Sequence, residues 1–521
     1  MHKFFNKIQE KLDGSSSQAP AQLPPLTQPL DDRLQYQFRK QRGVNLGSWF
    51  ALESWLTGSL FSQVKQTTSE YDIVQGMSAE AARDMLQNHW AHFINDGDWA
   101  WMKQHGVNSV RLPIGYFHFI AGAEHGKLQS LLKGTEYEKY GPVYAGAWNY
   151  IVGAIDKARA HGIGVLVDLH GVPGAQNTDG HSGLSSGKAN FFHGVHSLHN
   201  QKATVKILVA LAEAVAPYEN VVGLELMNEP QNDGSLESFY DRAISAIRGV
   251  DNAAVKALPL YLGDAWHTMH YAKYVAGKSS AGNFLVLDHH LYRAFTKKDH
   301  GTAAEAHAQS IDPDANGQTA QWLQRASATA NGSIIVGEWS GALNPNSFQL
   351  SQIQSKLQAR TMWSQAQWRA FERYTAGYFY WTLKKEGGPD PGWCFYTAVE
   401  KGSMPPNLNP VIARGGRMPS ANQMQGQLED ALEHHKQAHA QYWDAHGAQG
   451  DHATFAEGFR SAWFDASTFL ATQSEIGFAG ELALLRSAAF TREKGASKTD
   501  WEFEHGYKQS VQAFSAILNA S

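Results

Sequence analysis

Two glutamates stand where apolar runs break off. In "VVGLELMNEPQ" (221–231) the run stops on Asn228, Glu229 and Pro230, and "SIIVGEW" (333–339) carries Glu338 near its end. A carboxylate where a buried segment leaves the core is placed to act on a ligand. Two of them about 5–5.5 Å apart can flank a glycosidic bond, one attacking the anomeric carbon and the other protonating the leaving oxygen, with retention of configuration. Other runs end on groups suited to help: Arg111, His170, Asp264, His290 with Tyr292, and Trp381. Asn228 suits a hydrogen bond to a sugar 2-hydroxyl, and Trp381 offers a flat apolar face to a pyranose ring. Arg111 and Tyr292 would keep a nucleophilic carboxylate ionised and aimed, because a nearby cation and hydrogen bonds favour the charged form. A lone Glu in such a place more often caps a helix or pairs with a cation. The whole set at matching positions reverses that reading.

Such a set needs a scaffold that brings distant strand ends together. Eight short apolar runs recur at 43–49, 107–114, 163–170, 221–228, 258–264, 284–290, 333–339 and 377–383, with helical patterns between them such as 81–106 and 147–162. Near-continuous apolar strands suit a parallel sheet buried on both faces. Eight strand–helix units predict an α/β fold, a (β/α)8 TIM barrel whose chemistry lies at the C-terminal ends of its strands. On such a barrel, strands four and seven face each other across the mouth. A doubly wound sheet would want a Gly-rich turn after its first strand, and the sequence offers none there. "GHSGLSSGK" (180–188) lacks the first Gly of a phosphate loop and has Ala189 where Ser or Thr is required. Residues 1–35 read as a flexible N-terminal arm rich in Ser, Pro and Gln, 36–405 as the barrel, and 421–521 as a helical C-terminal extension. Within the extension "FAEGFRSAWFDA" (455–466) is echoed by "FEHGYKQSVQAF" (503–514), pairing Gly458 with Gly506. Two helix hairpins of one bundle packed on the barrel are expected, with a separate partner-binding module as the alternative.

The stretches "RGVNLGSWFALESWLTGSLF", "VRLPIGYFHF", "DLHGVPGAQN", "LELMNEP", "DHHLYRAF", "VGEWSGAL" and "YFYWTLKKEG" resemble glycoside hydrolase family 5, and within it the fungal exo-β-1,3-glucanase branch. The resemblance implies a retaining mechanism without metal or cofactor, with Glu229 as acid/base and Glu338 as nucleophile. A raised pKa is then expected for Glu229 and a lower one for Glu338. The resemblance gives supporting roles to Arg111, His170, Asn228, His290, Tyr292 and Trp381, and sets Glu53 on the non-reducing-end sugar. It also exposes a departure. The family's Phe and its Asp-Asn pair are replaced here by Asp179 and by Gly180-His181. Trp266 and Phe295 still supply aromatic surface. The expected substrate is therefore a β-glucoside, either a β-1,3-glucan-like oligosaccharide or a glucoside with a non-sugar aglycone. The alternative is a carbohydrate-binding barrel without turnover.

Bulk properties narrow the partners. A net charge of −5 argues against non-specific nucleic-acid binding, which needs a basic field. No apolar run reaches the ~18–20 residues that span a bilayer. Polar Asn6, Lys7, Gln9 and Glu10 interrupt the N-terminus, so it does not read as a signal peptide, although Phe4, Phe5, Ile8 and Leu12 share one helical face. Cys394 is the only cysteine, which excludes an intramolecular disulfide. A cytoplasmic location is expected, with self-association through the C-terminal helices as a further expectation. His193, His196 and His199 have helical spacing, but neither a carboxylate nor a Cys nearby completes a zinc set.

Overall fold

The computed structural model describes the chain except residues 1–28, 66, 123–125, 448–449 and 521. Every predicted run overlaps a strand: β1 (Gln41–Asn45), β2 (Ser109–Gly115), β3 (Gly164–Gly171), β4 (Val221–Glu225), β5 (Leu260–Gly263), β6 (Leu285–Arg293), β7 (Ile334–Leu343) and β8 (Gly377–Tyr380). Each pairs in parallel with the next, and β8 returns to β1 to close the barrel. All residues of β1–β5, β7 and β8 are buried. This is the burial a parallel sheet acquires when helices cover its outside. In the helix Leu236–Arg248, Leu236, Phe239, Tyr240, Ala243, Ile244 and Ile247 are buried, an apolar stripe at helical spacing that seats it on the barrel.

The first described residues correct the boundary at residue 35. Asp32–Phe38 is a helix, capped by Asp31, whose carboxylate accepts from the Leu34 amide at 2.8 Å. Leu30, within the stretch read as an arm, is buried in the same apolar core as Phe38, whose ring stacks on Phe284 with centroids 4.8 Å apart. The rest of that arm, with Phe4, Phe5, Ile8 and Leu12, lies outside the described residues.

The C-terminal region is helical as expected: Leu428–Ala445, Ala453–Ala471, Ala479–Lys494 and Asp500–Ala520. The sequence echo has a packing cause. A methyl group added at Gly458 would overlap the Phe503 carbonyl, and one added at Gly506 would overlap the Phe455 carbonyl. Helices 453–471 and 500–520 thus cross at reciprocal glycines, each lying under the backbone of the other. Beneath the crossing, Asp465 accepts from Arg486 Nε at 2.9 Å and from the Tyr507 hydroxyl at 2.7 Å.

This helical region closes the barrel at the end where the strands begin. Val222, Tyr261, Val286 and Ile335, each the second residue of its strand, share one apolar core with Phe455, Phe469, Phe478 and Phe490. Backbone hydrogen bonds lace the two parts together, from Lys40 to Glu475 at 2.7 Å and from Gly477 to Phe38 at 2.9 Å. Each large side chain buried there contributes roughly 1.5–3 kcal/mol over leaving it in water. The opposite end, where the strands finish, stays open.

Candidate active site

At the open end lies a cavity of about 1450 Å3 whose lining includes Glu53, His170, Glu229, His290, Glu338 and Trp381. Glu338 sits within β7. Glu229 follows β4 in a turn, at φ 40°. That region is sparsely populated by residues with a Cβ, and its cost is borne where surrounding structure fixes a functional side chain. The loop after β3 does the fixing. Gln176 Nε2 donates to the carbonyls of His170 at 2.7 Å and Asn228 at 2.9 Å, and Asn177 Nδ2 donates to that of Glu229 at 3.0 Å.

The two glutamates converge. One carboxylate oxygen of each, together with a ring nitrogen of His290, lie within 4.8 Å of one another. Arg111 Nη1 donates to Glu338 Oε1 at 3.0 Å, and the Tyr292 hydroxyl donates to Oε2 at 2.8 Å. His290 Nδ1 lies 2.8 Å from Glu229 Oε1. His181 Nε2, from the loop that departs from the family pattern, lies 3.4 Å from Glu229 Oε2. Glu53 accepts from Trp55 Nε1 at 2.8 Å, and burial pushes its carboxyl up to about 7, against the opposing pull of His181.

Glu229 corrects the expectation of a raised pKa. Burial alone would raise it, but the hydrogen bond and charge of His290, with His181 and His170, outweigh burial and hold it at about 2. His290 moves the other way. Desolvation lowers it, and the charges of Glu338 and Asp288 with the hydrogen bond to Glu229 outweigh that and raise it well above the usual imidazole range. In the unliganded site the proton of this pair therefore rests on the imidazole. The raised value was expected from the acid/base role alone, and the two imidazoles that overturn it come from β6, in His290, and from the loop after β3, in His181.

Arg111 and Asn228 are fully buried and lie beneath the cavity, outside its lining. Asn228 Oδ1 accepts from Arg111 Nη2 at 2.7 Å. Arg111 also holds Glu225 at 2.8 Å and Asp168 at 3.1 Å, with Asp288 at 3.8 Å. These three carboxylates were not singled out from the sequence, although each is an acidic residue inside an apolar run, where an unpaired charge is too costly to persist. Asp168 in turn holds His170 Nδ1 at 2.7 Å, and the His170 ring lies parallel to Trp381 at 5.9 Å. Asp264 turns aside from the pair and holds His289 Nδ1 at 2.7 Å.

An aromatic wall rises on one side. Trp393 contacts Tyr292, Phe295 and Trp55 with centroids 5.5, 6.2 and 5.0 Å apart. Phe295 and Trp266 are exposed at the mouth. Asp179 is also at the rim, 3.8 Å from His181. Trp55 and Trp393 were missed: the first lies in the irregular segment that follows β1, the second in the Gly- and Pro-rich segment 387–393. The carboxylates around His290 are close enough to surround a cation, but the Arg111 guanidinium already supplies the positive charge at Glu225 and Glu338. Among the described residues His193, His196 and His199 do not converge on one point.

A family model described as Cellulase (glycosyl hydrolase family 5) matches residues 68–387. The chain belongs to glycosyl hydrolase family 5. A second model, described as Glucan 1,3-beta-glucosidase 3 C-terminal domain, matches residues 424–518 and so covers the helical region. Glucan 1,3-beta-glucosidase 3 of Schizosaccharomyces pombe is 32% identical over 481 residues, spanning 90% of this chain and 94% of that protein. Glucan 1,3-beta-glucosidase of Blumeria graminis is 30% identical, spanning 74% of this chain and 92% of its own. The crystal structure of a rutinosidase from Aspergillus niger aligns with a TM-score of 0.53 at 16% identity over 72% of this chain and 99% of that one, a likeness that bears on the barrel fold alone. The protein is a family 5 β-glycosidase on a TIM barrel, as the sequence resemblance implied.

Proposed function

We propose that the protein is an exo-acting, retaining β-glucosidase that removes glucose from β-1,3-linked oligosaccharides or from glucosides with a compact aglycone. The observation that carries this reading is that one carboxylate oxygen of Glu229 and one of Glu338 lie within 4.8 Å of each other in the lining of one cavity, an approach that suits the short carboxyl separation, about 5–5.5 Å, of a double displacement. Glu338, clamped by Arg111 and Tyr292, attacks the anomeric carbon and forms the glycosyl-enzyme. Glu229 gives a proton to the leaving oxygen. That proton reaches Glu229 Oε1 from His290 Nδ1 across their 2.8 Å hydrogen bond, as substrate fills the cavity and displaces water. Glu229 then takes a proton from an incoming water as the water oxygen bonds to the anomeric carbon and the bond to Glu338 breaks, and the return of that proton from Glu229 Oε1 to His290 Nδ1 restores the starting state.

Substrate choice rests on the rim. Glu53 supports a terminal sugar by accepting from its hydroxyls. His181 turns its Nε2 toward Glu229 and Asp179, and its Nδ1 is buried without a hydrogen-bond partner among the described residues. The Trp55–Trp393–Phe295 wall favours a flat sugar or aryl group beyond the cleaved bond. The names of the fungal relatives support β-1,3-glucan. Incubation with an aryl β-glucoside and with β-1,3-linked glucose oligomers tests the reading. Glucose as the sole early product supports it. Release of internal fragments, or no release from either substrate, would overturn it.

The cytoplasm is proposed as the place of action, supported by the single buried thiol of Cys394, and fractionation of cells expressing the full chain tests it. Self-association is proposed through the outer faces of the C-terminal helices, where Tyr442 and Phe464 are exposed, and mass in solution tests that.

A further inference from the structure

Far from the barrel mouth, three helices of the C-terminal region bring titratable side chains to one buried point. His439 comes from the helix Leu428–Ala445, His452 caps the helix Ala453–Ala471, and Glu502 comes from the first turn of Asp500–Ala520. One ligand atom from each lies within 4.8 Å of the other two. His452 Nδ1 is 3.1 Å from Glu502 Oε1, and His439 Nε2 is 3.9 Å from the same oxygen. All three side chains are more than nine-tenths buried: His439 is 4% exposed, His452 3% and Glu502 3%. His439 Nε2 and Glu502 Oε2 have no hydrogen-bond partner among the described residues, although both are sealed from solvent. An unpaired buried polar atom is costly, and two facing one point require a reason.

We propose that His439 Nε2, His452 Nδ1 and a carboxylate oxygen of Glu502 bind a divalent transition-metal ion of the zinc class, which staples the C-terminal helices together. Zinc takes imidazole nitrogens and carboxylate oxygens at about 2.0–2.2 Å, so tetrahedral ligands stand about 3.4 Å apart. The observed separations of 3.1 and 3.9 Å bracket that spacing. Two imidazoles and one carboxylate favour zinc over magnesium or calcium, which prefer oxygen alone. The surroundings match a histidine metal shell as well. A ligating imidazole usually donates its second N–H to a fixed acceptor, which sets its tautomer. His439 Nδ1 lies 3.0 Å from His505 Nδ1, and His452 Nε2 lies 3.3 Å from Asp444 Oδ1. Both second nitrogens are thus engaged, and both inward nitrogens are directed at the common point. Phe455 covers the His439 ring at 4.3 Å, and Trp501 stands 5.7 Å away, so the pocket is walled by apolar rings that restrict water. Three protein ligands leave one position, which a water or the second oxygen of Glu502 fills.

The test uses the full chain without a histidine tag. After exposure to zinc and exhaustive dialysis, elemental analysis is expected to find about one zinc per chain, the stoichiometry of a single structural site. Cobalt(II) in its place is expected to give the intense visible absorption of a four-coordinate ion, displaced by added zinc. Glu502→Gln and His439→Ala are expected to lose the metal while still hydrolysing an aryl β-glucoside, whereas Glu229→Gln keeps it. Zinc retained by Glu502→Gln, or lost in Glu229→Gln, would overturn the assignment by placing the ion elsewhere. Should the histidine variant fail to fold, the cobalt spectrum of the native chain decides: weak octahedral absorption refutes the site.

Discussion

His290 Nδ1 stands 2.8 Å from Glu229 Oε1, and in that pair the imidazole, not the carboxyl, carries the resting proton. An acid that begins ionised must be recharged through its neighbour, and this makes His290 a participant in the proton inventory. Its reach extends to Glu338 Oε2 at 3.5 Å, so one cation is shared by both glutamates.

Removing either glutamate should separate their roles. Glu338→Gln is expected to abolish turnover of an aryl β-glucoside, and a 2-fluoroglucoside should label Glu338 in the native protein. Glu229→Ala is expected to lower turnover by about 10²–10⁴-fold, the usual worth of general acid–base catalysis. Part of that loss should return for substrates with an acidic leaving group, because these need no proton. Labelling at any other residue in the mass spectrum would refute the assignment.

Breaking the shared cation should change stability with a defined pH signature. Glu229, depressed from 4.5 to about 2, contributes stability that is present above its ordinary value and is lost as pH falls toward about 2. His290, raised above 6.5, contributes stability that is complete below 6.5 and is lost as pH rises through its raised value. The Tm difference between the native chain and His290→Asn should therefore be largest between pH 4.5 and 6.5. Its size should correspond to about 3–5 kcal/mol, the cost of leaving a buried charge without its partner. A difference that is flat with pH would show that packing, not charge, is what His290 provides.

Glu53, held up at about 7, titrates where most assays are run. Its carboxylate accepts sugar hydroxyls better when ionised, so substrate affinity should strengthen as pH rises through 7. Glu53→Gln is expected to remove that limb and to raise KM about 10-fold or more, the worth of one charge-assisted hydrogen bond of about 1.5–3 kcal/mol. An unchanged KM profile would remove Glu53 from the sugar site.

Two glycines of similar sequence appearance should respond oppositely to alanine. Gly458→Ala forces a methyl into the Phe503 carbonyl and is expected to destabilise by about 1–3 kcal/mol in chemical denaturation. Gly153, in the helix Ala147–Ala160, has open space where a Cβ would stand. Gly153→Ala is expected to stabilise by about 0.5–1 kcal/mol through helix propensity. Equal signs for the two would contradict the close crossing.

The barrel was legible because its strands are buried on both faces, which leaves apolar runs that no amphipathic pattern imitates. Glu229 and Glu338 were legible because Arg111, His170, His290 and Trp381 stand at matching positions on the other runs; either carboxylate alone would read as a cap or an ion pair. Asp168, Glu225 and Asp288 announced themselves in the same way and were passed over, since the eye goes to strand ends rather than to charges within strands. The protonation of Glu229 was not legible at all. It depends on His181 and His290, which reach it from distant parts of the chain, and only their distances settle who holds the proton. Trp55 and Trp393 come from irregular loops, whose course follows from contacts that leave no periodicity.

The bundle at the foot of the barrel has a consequence for how the molecule must be handled. Val222, Tyr261, Val286 and Ile335 find their cover in a segment synthesised last. A ribosome that has finished only the catalytic portion has produced an open-bottomed cylinder with greasy side chains facing water. Truncation at residue 405 should thus yield aggregate rather than a minimal enzyme, and the two regions recognised separately by their family resemblance rise and fall as a single cooperative body.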